Sequence, residues 1–328
     1  MKKPSIHLST AALQKSPAPN TSSRVWVSVL LLFGFLIVAT FTAALFSRDV
    51  DDIGANTAII RLIGPIYGDG SSGVFSDGVV GSTQIIELLE EARDDDAITA
   101  VILEINSPGG SAVASDEIAQ AVKEVRAQNK TVVAWIREEG ASGAYWIASS
   151  TDYVVANRMS ITASIGVIGS YLEFDEFIDD WNVSYNRLVA GDRKDVGDPF
   201  VNLNDVNKAF IQTKMNKVHR FFIEEVAQNR KLTIAETEKI ADGQFMLGVE
   251  AKDAGLVDEL GGKDESIAYI EEKTGAIVIT TVFEHETGLL EELFGIFSSA
   301  PQPSVAESVK EQVRGRLLER NSPVPMLR

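Results

Sequence analysis

The segment Ile98-Thr99-Ala100-Val101-Ile102-Leu103-Glu104-Ile105 is apolar at all but two of its positions. A run this short and this apolar is expected of a strand covered on both faces, as in parallel sheets. It ends in Asn106-Ser107-Pro108-Gly109-Gly110-Ser111, and a helical pattern follows over residues 112–127. The same order then recurs. The β-branched run 131–136 leads into Glu138-Glu139-Gly140-Ala141-Ser142-Gly143-Ala144 and then a short helical segment of small residues. Strand, glycine-bearing turn and helix in succession predict βαβ units on a parallel sheet, hence an α/β fold.

Both turns have chemical possibilities. A serine at a strand-to-helix turn stands exposed at its tip beside backbone N–H groups, which is the geometry a nucleophile needs. The stretch around Ser142 is one residue short of the G-x-S-x-G elbow, because Ala144 stands where the second glycine would be. A helix start of small residues packed closely on a sheet explains the same pattern. Adjacent glycines at 109 and 110 let backbone N–H groups face outward with no Cβ in the way, as an anion or a developing oxyanion requires. An ordinary tight turn explains them equally, and with no Lys-Ser/Thr pair following, this is no nucleotide-binding loop.

Further strands are expected at 57–63, 153–156, 183–189 and 276–283, and helices at 83–94, near 173–181 and at 204–231. The last of these carries Phe210, Val218, Phe221, Phe222 and Val226 on its apolar side. Residues 235–254 read as mostly helical around a turn at Asp242-Gly243.

Composition narrows the function classes. The net charge of −17 argues against a nucleic-acid partner, which would call for a basic stripe. The absence of cysteine removes disulfides, thiolate catalysis and cysteine-ligated metals. There are three histidines, His7, His219 and His285. The first precedes an apolar run, His219 lies in the middle of a long helical pattern and His285 between Glu284 and Glu286, and surface positions are expected for both. If Ser142 is a nucleophile, a desolvated lysine is the alternative base, but spacing alone cannot choose among the lysines.

Residues 25–46 are uncharged and apolar over about the length that crosses a bilayer core. Lys2, Lys3, Lys15 and Arg24 lie upstream, and Asp49, Asp51 and Asp52 lie downstream beyond Arg48. The positive-inside bias then predicts a single-pass anchor with the body outside the cytoplasm, at the outer face of a bacterial cytoplasmic membrane. The expected division is a cytoplasmic disordered tail at 1–24, the anchor at 25–46, a linker at 47–56, a catalytic domain at 57–298 and a peripheral C-terminal tail at 299–328.

Several blocks occur in one order: Ser107-Pro108-Gly109-Gly110, the turn around Ser142, and Ile161-Thr162-Ala163-Ser164-Ile165-Gly166-Val167. Gly191-Asp192-Arg193-Lys194, Asp198-Pro199-Phe200 and the block from Asp242-Gly243 to Gly261-Gly262 follow. Together, over roughly residues 58–262, they resemble the signal peptide peptidase A family of membrane-anchored serine peptidases in its short, single-unit form. The resemblance implies a crotonase/ClpP-like spiral of ββα units and a Ser-Lys dyad. Ser142 would be the nucleophile, Lys194 the general base and Ser164 the residue that orients the lysine. Backbone N–H groups of Gly109, Gly110 and Gly143 would form the oxyanion hole. It further implies no cofactor or metal, apolar peptide substrates such as remnant signal peptides, and a homo-oligomeric ring.

The chain departs from the family pattern at Ala144, at Ala163 in place of a glycine, and at Arg193, where an aromatic residue commonly precedes the lysine. A cation at 193 is expected to act on Lys194 electrostatically while giving it less apolar cover. A stomatin-type membrane peptidase, a crotonase-type acyl-CoA enzyme and a non-catalytic scaffold of the same fold are the alternative readings.

Overall fold

The computed structural model describes Trp26, residues 29–35, Val38, residues 54–68 and residues 80–284. Residues 29–35 are helical with exposed side chains. Among the described residues no helix is long and apolar enough to cross a membrane. The rest of the expected anchor, both expected tails, His7 and His285 lie outside the described residues.

A mixed α/β fold is built on a largely parallel sheet. Its main path runs β10 (Thr280–Phe283), β1 (Thr57–Ile63), β4 (Ala100–Ser107), β5 (Thr131–Ala141), β6 (Tyr153–Ala156) and β9 (Glu259–Leu260), every neighbouring pair parallel. Short strands leave this path. β2 (Ile66–Tyr67) pairs in parallel with β3 (Val80–Gly81), while β7 (Ile161–Ala163) takes over the end of β5 and pairs antiparallel with β8 (Phe245–Leu247).

The period-2 alternation of the central strands sorts their side chains onto two faces. Val101, Leu103 and Ile105 join Ala58, Ile60, Leu62, Val132, Ala134 and Ile136 in the larger core. Helices α1 (Ser82–Asp94), α2 (Ala112–Ala127) and α3 (Gly143–Ser149) cover that face. On the other face Ile59, Ala100, Ile102, Val133 and Val155 pack with Ile270 of α8 (Lys263–Thr274). Because both faces are covered, β4 is buried at seven of its eight positions, which is why it reads as a continuous apolar run. Glu104 is tolerated there because Arg61 and Arg137, from the flanking strands, bond its two carboxylate oxygens at 3.3 and 2.8 Å.

Residues 164–204 follow a different pattern. They carry only the short helix α4 (Asp175–Asp180) and leave Ile168, Leu172, Phe177, Trp181 and Leu188 exposed. The strand expected at 183–189 is absent: the segment is exposed and irregular, with no neighbouring strand to pair its backbone. Beyond it, α5 (Asp205–Arg230) opens on an Asn204 cap whose side chain accepts from the Asn207 N–H at 2.9 Å. Only its last third is embedded, through Phe222, Ile223, Val226 and Ala227. The region expected to be mostly helical contains α6 (Ile234–Ile240) and α7 (Gly248–Asp253), with strand β8 between them.

Arg230 closes α5 onto the sheet. Its guanidinium, nearly buried, makes two bonds to Asp258 at 2.7 and 2.9 Å, while Asp258 also accepts from the Val154 N–H at 2.7 Å. Asp258→Ala strands a buried cation and a strand N–H together, so a loss of about 3 kcal/mol is expected. Urea unfolding checks it, and a change under 1 kcal/mol, with unaltered m-value, would mean that this clamp is dispensable.

Candidate active site

The end of β5 is prepared by a change of partner. Val133 to Ile136 pair with β6, whereas Glu139 to Ala141 pair with β7. The strand therefore continues through the residues expected to form a turn, and the chain reverses only at Ser142. There the backbone adopts φ 54° and ψ −122°, a conformation sparsely populated by residues with a side chain. The Ser142 N–H donates to Ala163 O at 2.9 Å and its carbonyl accepts from the Trp146 N–H at 3.0 Å, closing the first turn of α3. Ser142 itself is half-buried between buried neighbours, so the residue at the tip of the elbow is partly open to solvent.

The glycine turn is held against this elbow. Buried Ser107 accepts from the Gly109 N–H at 3.1 Å, and Gly109 has φ 92°. β2 then clamps the turn from outside: the Ile66 N–H donates to Gly109 O at 2.9 Å and the Ser111 N–H to Ile66 O at 2.8 Å. The Gly110 N–H takes no part in this clamp. A Cβ on Gly110 would lie 1.9 Å from Ile66 O, so no side chain fits. On the inner side, a Cβ on Gly109 would lie 2.6 Å from Gly143 N and 2.9 Å from Ser142 Cβ. One on Gly143 would lie 3.2 Å from Gly110 N and 2.3 Å from Ser115 Oγ. The two turns thus meet backbone to backbone. Gly143 opens α3, so its N–H has no acceptor within the helix. Gly109, Gly110, Ser142 and Gly143 are brought together, with the backbone donors of 110 and 143 beside one serine.

Ser164 stands one residue beyond the carbonyl that holds Ser142. Ala163 and Ser164 both have positive φ, 62° and 51°. Ser164 is fixed through its N–H to Gln244 O at 3.1 Å and its hydroxyl to Gly243 O at 3.2 Å. This accounts for the glycine expected at 163: alanine occupies a left-handed backbone position there. Lys194 lies apart, exposed in a turn closed by its own N–H to Gly191 O at 3.1 Å. Among the described residues no hydrogen bond or ion pair is made by its amine, and none joins it to Ser142.

The loop around the lysine is nevertheless ordered by local contacts. Arg187 pairs with Asp195, Tyr185 OH donates to Asp198 at 2.6 Å, and the Tyr185 and Phe200 rings pack 5.6 Å apart. The Arg193 guanidinium lies 4.8 Å from the Phe210 ring of α5. Its visible role is thus a cation–π contact that docks the loop on the helix. His219, expected at the surface, is half-buried with Nε2 3.1 Å from Ile165 O. Nothing in its sequence neighbourhood signals this contact, because Ile165 lies 54 positions away. A cavity of about 500 Å³ is lined by Val113 of α2, Trp146 of α3, and Val218 and Phe221 of α5, with Asp116 and Glu224 also on its wall. Among the described residues no group of histidine, aspartate or glutamate side chains is set to hold a metal ion.

A parallel α/β core that presents a strained serine against a glycine turn is the framework of a serine-type acyl-transfer enzyme. The profile of peptidase family S49 matches residues 124–276. A protein of Methanocaldococcus jannaschii described as a protease is 33% identical over 257 residues, covering 76% of this chain and 82% of that protein. Protease 4 of Haemophilus influenzae is 33% identical over 66% of this chain, which spans 34% of that longer protein. A protein of Enterococcus faecium described as a signal peptide peptidase is 24% identical, with 81% of this chain and 85% of that protein covered. The chain belongs to peptidase family S49, a family of serine proteases, and its single-unit length is that of the short relatives.

Two substitutions test the backbone geometry. Gly110→Ala drives a methyl group into a backbone carbonyl and is expected to destabilise by about 3 kcal/mol. Ala163→Gly relieves a left-handed alanine and is expected to stabilise by about 1 kcal/mol. Denaturant midpoints measure both, and a destabilising Ala163→Gly would contradict the strain assigned to that residue.

Proposed function

We propose that this protein is a membrane-anchored serine endopeptidase in which Ser142 is the nucleophile and Lys194 the general base. The observation that carries the reading is the elbow itself: a strained, accessible Ser142 between the Gly110 and Gly143 backbone donors. In the first step the neutral lysine amine takes the hydroxyl proton while Ser142 Oγ bonds to the peptide carbonyl carbon. The oxyanion forms beside the Gly110 and Gly143 N–H groups, with Gly109 supplying the reversal that aims them. The protonated lysine then gives its proton to the departing amine as the C–N bond breaks, and water releases the acyl group by the same route. Ser164 is the candidate to orient the lysine.

A lysine works as a base only from a desolvated position, and Lys194 is exposed in the single chain. Its cover is assigned to a second copy. In support, Leu172, Phe177, Trp181 and Leu188, on the same segment, expose apolar side chains that would become buried between copies. A homo-oligomeric ring of crotonase/ClpP-like spirals is the assembly we propose. The short strands that leave the main path after β1 and at the end of β5 are in keeping with such a spiral. The apolar wall of Val113, Trp146, Val218 and Phe221 supports peptides with apolar side chains as substrates. The apolar run at 25–46 and its flanking charges support an anchor with the peptidase domain outside, where remnant signal peptides are the fitting substrates.

A serine-reactive acylating probe followed by peptide mapping is expected to label Ser142 in the parent and nothing in Ser142→Ala. Lys194→Ala is expected to lower kcat/KM on an apolar peptide at least about 10³-fold, the scale seen when a member of a catalytic unit is removed. Lys208→Ala should retain activity. Labelling of another serine, or parent-like rates in Lys194→Ala, would overturn the corresponding role. Mass measured alongside activity on dilution tests the second-copy requirement: a monomer with full activity would refute it.

A further inference from the structure

We infer that His219 is a positioning residue for the nucleophile, acting through the strained segment 163–165. Two consecutive left-handed residues with side chains, Ala163 and Ser164, persist only where neighbours over-determine them. The bonds responsible come from three directions. Ala163 O accepts from the Ser142 N–H, Ser164 is bonded to Gly243 and Gln244, and Ile165 O faces His219 Nε2 at 3.1 Å. A Cβ on Gly166 would meet Gly243 Cα at 2.9 Å, and one on Gly169 would meet Met215 at 3.5 Å. Met215 and His219 are one turn apart on α5, so a single face of that helix is laid against residues 165–169.

The polarity of the His219 bond follows from its partner. A carbonyl only accepts, so Nε2 carries the hydrogen, in the neutral Nε2–H tautomer or the cation. That nitrogen is a donor and cannot be the base for Ser142. His219 instead fixes the Ile165 carbonyl. It thereby holds the backbone whose neighbouring carbonyl at 163 accepts from the nucleophile's own N–H and whose side chain at 164 is the candidate to orient the lysine. The same helix carries Phe210 under Arg193. α5 is therefore in contact with the serine-bearing framework through His219 and with the lysine loop through Phe210.

This inference rests on Ser142 being the nucleophile, and its test separates the two. The full-length parent is first treated with the acylating probe; if Ser142 is not labelled, the nucleophile assignment itself fails. With a labelled parent, His219→Leu, which removes the donor, is expected to acylate about tenfold more slowly, as modest misplacement of a reacting group does. Its kcat on an apolar peptide should fall by a similar factor with KM within about twofold, as for an interaction made only in the transition state. His219→Gln, whose side-chain amide can reach the same carbonyl, should recover most of the rate. Thermal melting of both variants accompanies the rates. Parent-like rates in His219→Leu overturn the inference, as does a loss that is the same in His219→Gln or that appears in KM alone.

Discussion

The backbone-to-backbone contact between the turn at Gly109-Gly110 and the turn at Ser142-Gly143 is the constraint on which the rest of the site depends. It exists only because Gly109 and Gly143 lack a Cβ, which would lie 2.6 Å from Gly143 N and 3.2 Å from Gly110 N respectively, while the bare Gly110 lets Ile66 close on the outer side. Around it the structure supplies restraint from both sides. β2 bonds the outer edge of the glycine turn through Ile66, and β7 holds the serine through Ala163 O. Neither restraint lies on the main path of the sheet. The short strands that leave the main path add Ile66, Val80 and Ala163 to the core and hold two backbone turns in register.

Strain and restraint are distributed in a consistent way. Ser142, Ala163 and Ser164 all have positive φ; a hydrogen bond joins Ser142 to Ala163, and Ser164 is the next residue in the chain. The energy stored there, about 1–2 kcal/mol for each left-handed residue, is offset by a densely packed core. Tyr145, fully buried on α3, donates to Leu256 O at 2.8 Å, and Trp146 stacks on Phe222 at 4.8 Å. Burial holds the Tyr145 hydroxyl well above its ordinary titration range, so it remains a donor at all working pH. The helix that begins at the nucleophile is therefore one of the most firmly seated elements, which lets its first residue stay strained.

Residues 164–204 have the opposite character. Their apolar side chains are left exposed, and their order comes from local pairs such as Arg187 with Asp195 and Phe174 with Phe200. Arg193 belongs to this local order. Considered by charge alone, it is a cation beside a lysine. In the fold it lies over Phe210, so what it contributes is the placement of the loop. A contact of this kind depends on a helix starting more than ten residues later, and no local pattern predicts it.

The central strands and the helices between them could be read from the chain because their signals are local. A strand buried on both faces is apolar throughout, and a helix such as Ala112–Ala127 shows its period within four turns. The Ser142 elbow and the paired glycines were legible as turns for the same reason, while their adjacency in space was implied by the family resemblance and by no local pattern. Residues 183–189 failed as a strand because local residue preference is only half of what a strand requires, and the other half is a partner edge. His219 was misread because a lone histidine inside a helical pattern carries no mark of a carbonyl 54 residues away. Periodicity and turn chemistry, which act between near neighbours, determined the α/β class and the positions of both turns. Which backbone atoms meet across those turns, where the strain lies and what holds it were decided by tertiary packing, because those distances are set by sheet order and not by spacing along the chain.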